Sequence, residues 1–150
     1  MKTAEPNFFI GYEGVVEPEW IDINRHMNVH WYDYVFDAAE HNLIDAIGIT
    51  HAYIAASGRT TYRLEKRIRY EKELLEGERL QVRSRIVFTD ERIFRHQHEL
   101  LNLSRNVQAA SAEFVSIHVD LSVRKSAQIT DPAILEPLRR IAKAHAVIGS

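Results

Sequence analysis

Apolar residues recur at spacings of three and four between residues 29 and 47, a pattern that predicts one amphipathic helix. The apolar stripe consists of Tyr32, Val35, Phe36, Ala39, Leu43, Ala46 and Ile47. Asn28 stands where an N-cap residue belongs, and Gly48 stands where a helix commonly ends, so the helix is expected to run from about 29 to 47. An apolar stripe of this length needs a broad surface to cover it, and the rest of the chain offers a sheet.

Alternation of apolar and polar residues predicts five strands. They are expected at Phe8–Val16, Thr60–Tyr70, Leu80–Phe88, Ile93–Leu103 and Val107–Val119. One face of the second strand is predicted to be apolar apart from Lys66, and it carries Tyr62, Leu64, Ile68 and Tyr70. Because the later connections are short, the last four strands are predicted to form an antiparallel meander.

The end of the chain contains two prolines that bear on a final helix. Glu136-Pro137 is predicted to begin this short helix, because proline suits the first helical position. Pro132 lies too close to Pro137 for one regular helix to include both comfortably. The inner face of the helix is predicted to consist of Leu138, Ile141, Ala142 and His145.

One long helix against an antiparallel sheet is an α+β architecture. The chain is expected to form one domain over residues 1–150, with a core at about 8–126 and a helical tail at 131–148. The last strand is rich in β-branched residues, and an uncovered edge strand invites pairing with a second copy. A homodimer or a homotetramer is therefore expected.

Composition restricts the chemistry and the partners. The chain has 150 residues, a formal net charge of −2 and no cysteine, which excludes disulfides, zinc–thiolate sites and a cysteine nucleophile. The small net charge gives no overall attraction to nucleic acid or to anionic membranes. The N-terminus lacks the apolar run of a signal peptide, and no apolar stretch approaches the length of about 18 residues that spans a membrane. A cytoplasmic protein is the expectation.

Asp22 is the candidate for chemistry, since it lies six residues before the predicted N-cap of the helix, Asn28. The first backbone N–H groups of a helix are unpaired, and they stabilise negative charge, including charge that develops during a reaction. A carboxylate base or nucleophile beside such donors is what hydrolysis of an activated acyl group requires. The alternative is that Asp22 only caps a turn, which is a common role of aspartate.

The segment Glu19-Trp-Ile-Asp-Ile-Asn-Arg-His-Met-Asn28 resembles the loop of hotdog-fold acyl-CoA thioesterases of the 4-hydroxybenzoyl-CoA thioesterase type. Further matching residues are Tyr32, Phe36, Ile68-Arg-Tyr70, Gly77-Glu-Arg-Leu80, His118-Val-Asp120 and Arg124-Lys125. Within that family the pattern is similar to the betainyl-CoA thioesterase-like branch, which also shows a segment like Tyr53-Ile-Ala-Ala-Ser-Gly-Arg59. The resemblance implies a hotdog fold, in which an antiparallel five-stranded sheet wraps one long helix.

The same resemblance implies an enzyme that hydrolyses an acyl-CoA thioester to a free acid and coenzyme A. Asp22 would attack the thioester carbonyl or activate water, and the amides from Asn28 to His30 would hold the carbonyl oxygen. Coenzyme A is part of the substrate, and no separate cofactor is implied. The thioester is expected at a subunit boundary. One residue departs from the pattern: Arg25 stands where the family has glycine, and it would be strained if that position has a positive φ.

The candidate catalytic residues are Asp22, His26 and Asn28. His26 either donates to a substrate carbonyl or holds the loop in shape, and Asn28 is first a helix cap and second a contact for Asp22. The candidate substrate-binding residues are Arg25, Val29, His30, Trp31, Tyr32, Arg59 and Thr61. Arg59 is the one basic residue of its segment assigned to the coenzyme A phosphates, whereas its neighbours are interpreted as a solvated strand face.

Three other patterns can be interpreted either functionally or as ordinary structural features. The aromatic residues Trp31, Tyr32, Tyr34 and Tyr53 can form a cage for a quaternary ammonium group, although aromatic rings more often pack in a core. His96-Gln-His98 places two imidazoles at i and i+2, but no spacing supplies a third ligand, so no metal site is predicted. Acidic residues of the helix can supply a second catalytic carboxylate, although solvated helix charge is the favoured interpretation. They are Asp33, Asp37 and Glu40.

Two rival functions stay open on the sequence. A non-catalytic acyl-CoA or acyl-carrier binding module would keep the fold, and Arg25 favours it. A hotdog dehydratase would need a histidine and an acidic residue paired across subunits in a glycine- and proline-rich loop, and that pattern is not found in this sequence.

Overall fold

A computed structural model describes residues 6–146 as three helices and a curled antiparallel sheet. In chain order the elements are β1 (Phe9–Val15), a 3-10 turn (Pro18–Trp20), α1 (Val29–Ala46), α2 (His51–Ser57), β2 (Arg59–Tyr70), β3 (Arg79–Thr89), β4 (Ile93–Asn102), β5 (Val107–Asp120), β6 (Lys125–Ser126) and α3 (Pro132–Ala146). The α+β architecture predicted from the periodicities is confirmed. None of the helices in this range has both the length and the apolarity needed to cross a bilayer.

The strands lie in the order β1-β3-β4-β5-β2, and the two-residue β6 pairs with β5. Only β3, β4 and β5 form a meander, so the predicted four-strand meander was wrong. Residues 71–78 carry the chain from β2 to the opposite side of the sheet instead of making a tight turn. The last long strand, β5, is paired on both sides, and the edge strands of this path are β1 and β2. The prediction that the last strand forms an exposed edge was therefore wrong.

A β-bulge in β2 changes which side chains face α1. The register shifts between Arg63 and Glu65, and an inserted residue reverses the alternation beyond it. Arg63 and Lys66 consequently both contact acidic residues of α1. Ile68 packs against the larger core cluster, which lies between α1 and the sheet. The predicted apolar face was wrong, because Tyr62 and Leu64 are 42% and 54% exposed. Lys66 is not an exception to the pattern but follows the shifted register.

Helix α1 agrees with its periodicity except near its end, where Ile44 is buried and the predicted stripe residue Ala46 is exposed. It runs over Val29–Ala46, and the Asn28 side chain accepts a hydrogen bond from the His30 amide at 2.9 Å, as expected of an N-cap. Gly48 has a φ of 102° just after the helix, as its predicted role requires. The helix packs closely on β1, where a Cβ added at Gly11 would lie 2.8 Å from the Cβ of Ala39.

Helix α2 was not predicted, and α3 begins earlier than predicted. Seven residues are too few to show a helical stripe, and α2 buries no residue. Helix α3 starts at Pro132 because Asp131 caps it: the Asp131 carboxylate accepts from the Ala133 amide at 2.9 Å. Pro137 lies inside the helix, so the prediction that the two prolines belong to separate segments was wrong.

The inner face of α3 is close to the prediction. Its buried residues are Ile134, Leu138, Ile141 and His145, while Ala142 is partly buried. These side chains join the carboxyl-terminal half of α1 and the ends of β3 and β4 in a second core cluster.

A chain of polar side chains runs through the sheet beneath α1. Ser84 Oγ lies 2.7 Å from His98 Nδ1, and His98 Nε2 lies 2.7 Å from His96 Nδ1. His96 Nε2 in turn lies 3.1 Å from Ser116 Oγ and 3.3 Å from a carboxylate oxygen of Glu40. Both ring nitrogens of each histidine thus have a partner, and one ring donates the hydrogen bond that the other accepts.

Both histidines are neutral at physiological pH. Burial, with a smaller effect of the Arg63 guanidinium, lowers the pKa of His96 to about 3. Burial also lowers the pKa of His98 well below its usual value, assisted by His96 and Arg63. Within residues 6–146, no group of three or more histidine, aspartate or glutamate residues is arranged to hold a metal ion.

Candidate active site

The loop that carries Asp22 is closed by its own backbone. Ile21 and Met27 form an isolated antiparallel bridge, and the Asp22 amide donates to the His26 carbonyl at 3.2 Å. The Met27 amide donates to the carbonyl of Leu74 at 2.7 Å, which ties the loop to the segment after β2. The loop is therefore a small, fixed excursion at the amino end of α1.

Arg25 occupies the left-handed region, with a φ of 66°. Its amide donates to the Asp22 carbonyl at 2.9 Å, closing a turn. The loop therefore keeps the conformation in which glycine is favoured, and arginine is strained there by about 1–2 kcal/mol. Position 25 therefore has the positive φ for which the sequence analysis predicted strain in arginine.

Arg25→Gly is expected to raise the free energy of unfolding by about 0.5–1 kcal/mol, because relief of strain exceeds the added entropy of the unfolded chain. Urea denaturation of the two proteins measures the difference. Asn24→Gly is the matched control, since its φ is not positive and it should bring no gain. An equal gain at Asn24 would contradict the assignment of strain to Arg25.

Asp22 is linked to the tip of α1 through one side chain. Asn28 donates from Nδ2 to Asp22 Oδ2 at 2.9 Å, and its Oδ1 accepts from the His30 amide. The other carboxylate oxygen of Asp22 accepts from the Asn24 amide at 2.8 Å. Asn28 thus has both roles considered for it, and Asp22 is half-buried and oriented from both sides. The turn interaction and the contact with the helix tip occur together.

The donors at the helix tip are partly occupied. The His30 amide is used by Asn28 Oδ1, and the Trp31 amide donates to the Asn28 carbonyl at 2.9 Å. The Val29 amide has no hydrogen-bond acceptor within residues 6–146. Of the Asn28–His30 amides predicted to hold an oxyanion, Val29 is the one available at the tip.

A cleft of about 220 Å³ opens beside this tip. It is lined by His26, Met27, Val29, Tyr32, Tyr70, Glu71, Lys72 and Glu73. Asp22 does not line the cleft in the single chain, but its hydrogen-bond partner Asn28 directly precedes the lining residue Val29. His26 is held by its Nδ1, 3.2 Å from the Met27 carbonyl. A larger groove of about 650 Å³ crosses β2, β5 and β4 and includes no residue of the Asp22 loop.

Residues 70–73 were not identified as site residues from the sequence. Tyr70 ends the matched segment Ile68-Arg-Tyr70, which was the available signal, but its position opposite Tyr32 depends on the placement of β2. The two rings meet edge to face, with centroids 5.0 Å apart and an interplanar angle of 84°.

The four aromatic residues considered for a cage do not converge, so that hypothesis was wrong as stated. Trp31 stacks on Trp20, with centroids 4.9 Å apart, and Tyr34 meets both rings edge-on. The Tyr53 hydroxyl lies 2.8 Å from His118 Nε2 at the opposite end of β2. Only Tyr32 lines the cleft.

Arg59 and Thr61 lie at the other end of β2 from the cleft. Arg59 forms an ion pair with Asp120 at 3.7 Å. Eleven residue steps separate Arg59 from Tyr70, a span on the order of 35 Å in an extended strand. One chain alone does not bring these two candidates to Asp22.

The acidic residues of α1 are paired with basic residues of β2, rather than solvated singly. Arg63 binds Glu40 and lies 2.9 Å from Asp37, and Lys66 binds Asp33. These contacts leave the α1 carboxylates in an ion-pair cluster along β2.

Comparison with known proteins agrees with this fold. Residues 16–138 match the model of the Thioesterase-like superfamily. The betainyl-CoA thioesterase of Pseudomonas aeruginosa is 33% identical over 135 residues, which cover 89% of this chain and 84% of the relative. A Staphylococcus aureus protein solved in complex with CoA superposes with a TM-score of 0.87 at 19% identity, over 96% of this chain and 89% of that chain.

A DHNA-CoA thioesterase from Staphylococcus aureus superposes with a TM-score of 0.78 at 16% identity, over 93% of each chain. The fold is thus the hotdog fold expected from the loop and helix. The chain belongs to the Thioesterase-like superfamily, which places it among the hydrolases of thioester bonds.

Proposed function

We propose that this protein hydrolyses the thioester of a short acyl-CoA, with Asp22 as the general base or nucleophile. The observation that carries the proposal is the link from Asp22 through Asn28 to the amino end of α1, beside the free Val29 amide. A carbonyl oxygen at this amide would receive both a hydrogen bond and the positive end of the helix dipole as negative charge develops on it.

Two routes use the same groups. In the first, Asp22 removes a proton from water as the water oxygen bonds to the acyl carbon, and the C–S bond then breaks. In the second, Asp22 itself bonds to the acyl carbon and expels the thiolate, and water cleaves the resulting anhydride. Both consume one water and yield the free acid and the thiol of coenzyme A.

The proposed acyl group is betainyl or a related short group. The similarity to the Pseudomonas betainyl-CoA thioesterase supports it, and so does the small size of the cleft beside Val29. Arg25 is exposed at the loop tip and makes no side-chain hydrogen bond or ion pair within the described range, so we assign it a contact with the coenzyme A portion.

The proposed assembly is a homodimer, or a tetramer of such dimers, formed through the β2 edge. Tyr62 and Leu64 are exposed in the middle of this edge, and a second β2 would cover them. A two-fold axis through the middle of β2 pairs the strands antiparallel. It places Arg59 and Thr61 of the partner subunit near Tyr70, which would complete the site beside Asp22.

Mixed subunits test this arrangement. Asp22→Asn and Arg59→Glu proteins, each impaired alone, are expected to recover about one quarter of the wild-type activity when they are unfolded together and refolded at equal amounts. Random pairing makes half of the dimers mixed. In each mixed dimer, one of the two sites combines an unchanged Asp22 with an unchanged Arg59, so one quarter of all sites are intact. Activity that stays at the level of the separate variants would contradict a site built from both subunits.

The activity itself is tested by measuring release of free thiol from a panel of acyl-CoAs, with betainyl-CoA among them. Turnover that depends on Asp22 supports the proposal. Binding without turnover would instead identify a non-catalytic acyl-CoA binding module. Arg25 does not favour that alternative in the folded protein, because the loop keeps the conformation that glycine would adopt.

A further inference from the structure

We infer that the cleft beside Val29, through Tyr32, Tyr70 and Glu73, selects acyl groups that end in a quaternary ammonium cation. This inference rests on the proposed function and assigns specificity to residues of the same site.

The two tyrosines form an aromatic corner. Their rings stand at 84° with centroids 5.0 Å apart, so they make two adjoining walls. Tyr32 is buried, and its hydroxyl donates to the Lys72 carbonyl at 3.3 Å, which fixes the ring. Tyr70 is 50% exposed, so part of its ring is accessible from the cleft.

Carboxylates make the cleft attractive to a cation. Glu71 and Glu73 border it, opposed by Lys72, and Glu71 accepts a hydrogen bond from Gln108 at 2.9 Å. The pKa of the Tyr32 hydroxyl is raised to about 12, first by burial and then by Tyr70, Glu73 and Glu78. Glu73 therefore acts electrostatically on the aromatic corner itself.

A trimethylammonium group has no N–H, so hydrogen bonds cannot recognise it. It is bound by ring faces and by nearby negative charge, as this cleft provides. Val29 lines the same cleft and carries the free amide, so a short acyl group can place its carbonyl at the helix tip and its other end at the tyrosines. The position of the cation and that of the reacting carbonyl are thus set by one cleft.

The test compares betainyl-CoA with 3,3-dimethylbutanoyl-CoA, in which carbon replaces the quaternary nitrogen and shape is preserved. Wild-type protein is expected to show a kcat/KM at least about 10-fold higher for the cationic thioester. Tyr70→Leu and Glu73→Gln are expected to lower this ratio toward one by reducing turnover of the cation, while Tyr70→Phe should largely keep it. Tyr34→Leu is the matched control, since Tyr34 is equally exposed but packs on Trp20 and Trp31.

Equal kcat/KM values for the two thioesters in wild-type protein would overturn the inference and leave the thioesterase proposal standing. An unchanged ratio in both Tyr70→Leu and Glu73→Gln would also overturn it. If wild-type protein hydrolyses no acyl-CoA of the panel, the proposed function fails, and calorimetric binding of these two compounds decides the inference separately. Tighter binding of betainyl-CoA that is lost in Tyr70→Leu would support the cation site, and equal binding would remove it.

Discussion

Asp22→Asn is expected to lower kcat for acyl-CoA hydrolysis by at least about 100-fold, with little change in KM. The asparagine side chain keeps the shape of the aspartate and can still accept from the Asn24 amide. It has no negative charge with which to attack a carbonyl or to take a proton from water. The loss should therefore lie in the chemical step, and thiol release at saturating substrate measures it.

Asp45→Asn is the control for this experiment, because Asp45 is exposed near the opposite end of α1. Its kcat should equal that of the wild type. If Asp22→Asn also equals the wild type, Asp22 has no part in the mechanism. A single turnover of the wild type in ¹⁸O-labelled water tests the second route. Label in the Asp22 carboxylate arises only when Asp22 has bonded to the acyl carbon and water then attacks the Asp22 carbonyl of the anhydride.

Lowering the pH from 7 to 5 is expected to reduce the free energy of unfolding by about 2 kcal/mol through His96, and further through His98. Below pH 6.5 the unfolded chain takes up a proton on each of these rings. The folded chain does not, because burial and Arg63 hold the pKa of His96 near 3 and that of His98 well below its usual value. Protons therefore favour the unfolded chain, and the stability present above pH 6.5 is lost progressively toward pH 3.

His96 contributes about 2 kcal/mol to this loss, at about 1.36 kcal/mol per pH unit once the unfolded ring is mostly protonated, and His98 adds to the loss in the same direction. His118, whose pKa is also lowered by burial, acts in the same direction. In the folded protein both ring nitrogens of His96 and of His98 already have partners, and the positive charge of Arg63 lies close enough to oppose protonation.

Urea denaturation at several pH values and a fixed protein concentration measures this slope. Near pH 5 the wild type should take up more than one proton on unfolding, and His96→Gln should take up about one fewer. A wild-type slope of less than one proton would show that the rings titrate normally in the folded protein. Because that slope is measured on the wild type, the prediction stands even if the variant folds poorly.

Local patterns predicted most elements well, since each reports how a segment buries its own side chains. The bounds of α1 and its cap at Asn28 agree with the structure to within a residue. The strands were also located closely, but their pairing was not. Whether β2 lies beside β3 or beyond β5 depends on contacts distant in sequence, and the bulge at Arg63 depends on the neighbour to which the strand is paired.

The candidate site divides in the same way. The sequence by itself determined the Asp22 loop, its strained residue Arg25 and the cap that joins it to α1, because these are contacts between residues at most six positions apart. Only the tertiary structure decided that Tyr70 and Glu73 flank the helix tip and that Arg59 lies at the far end of β2. The physical reason is that the position of a strand in a sheet is chosen by the burial of the whole core, which no short segment encodes.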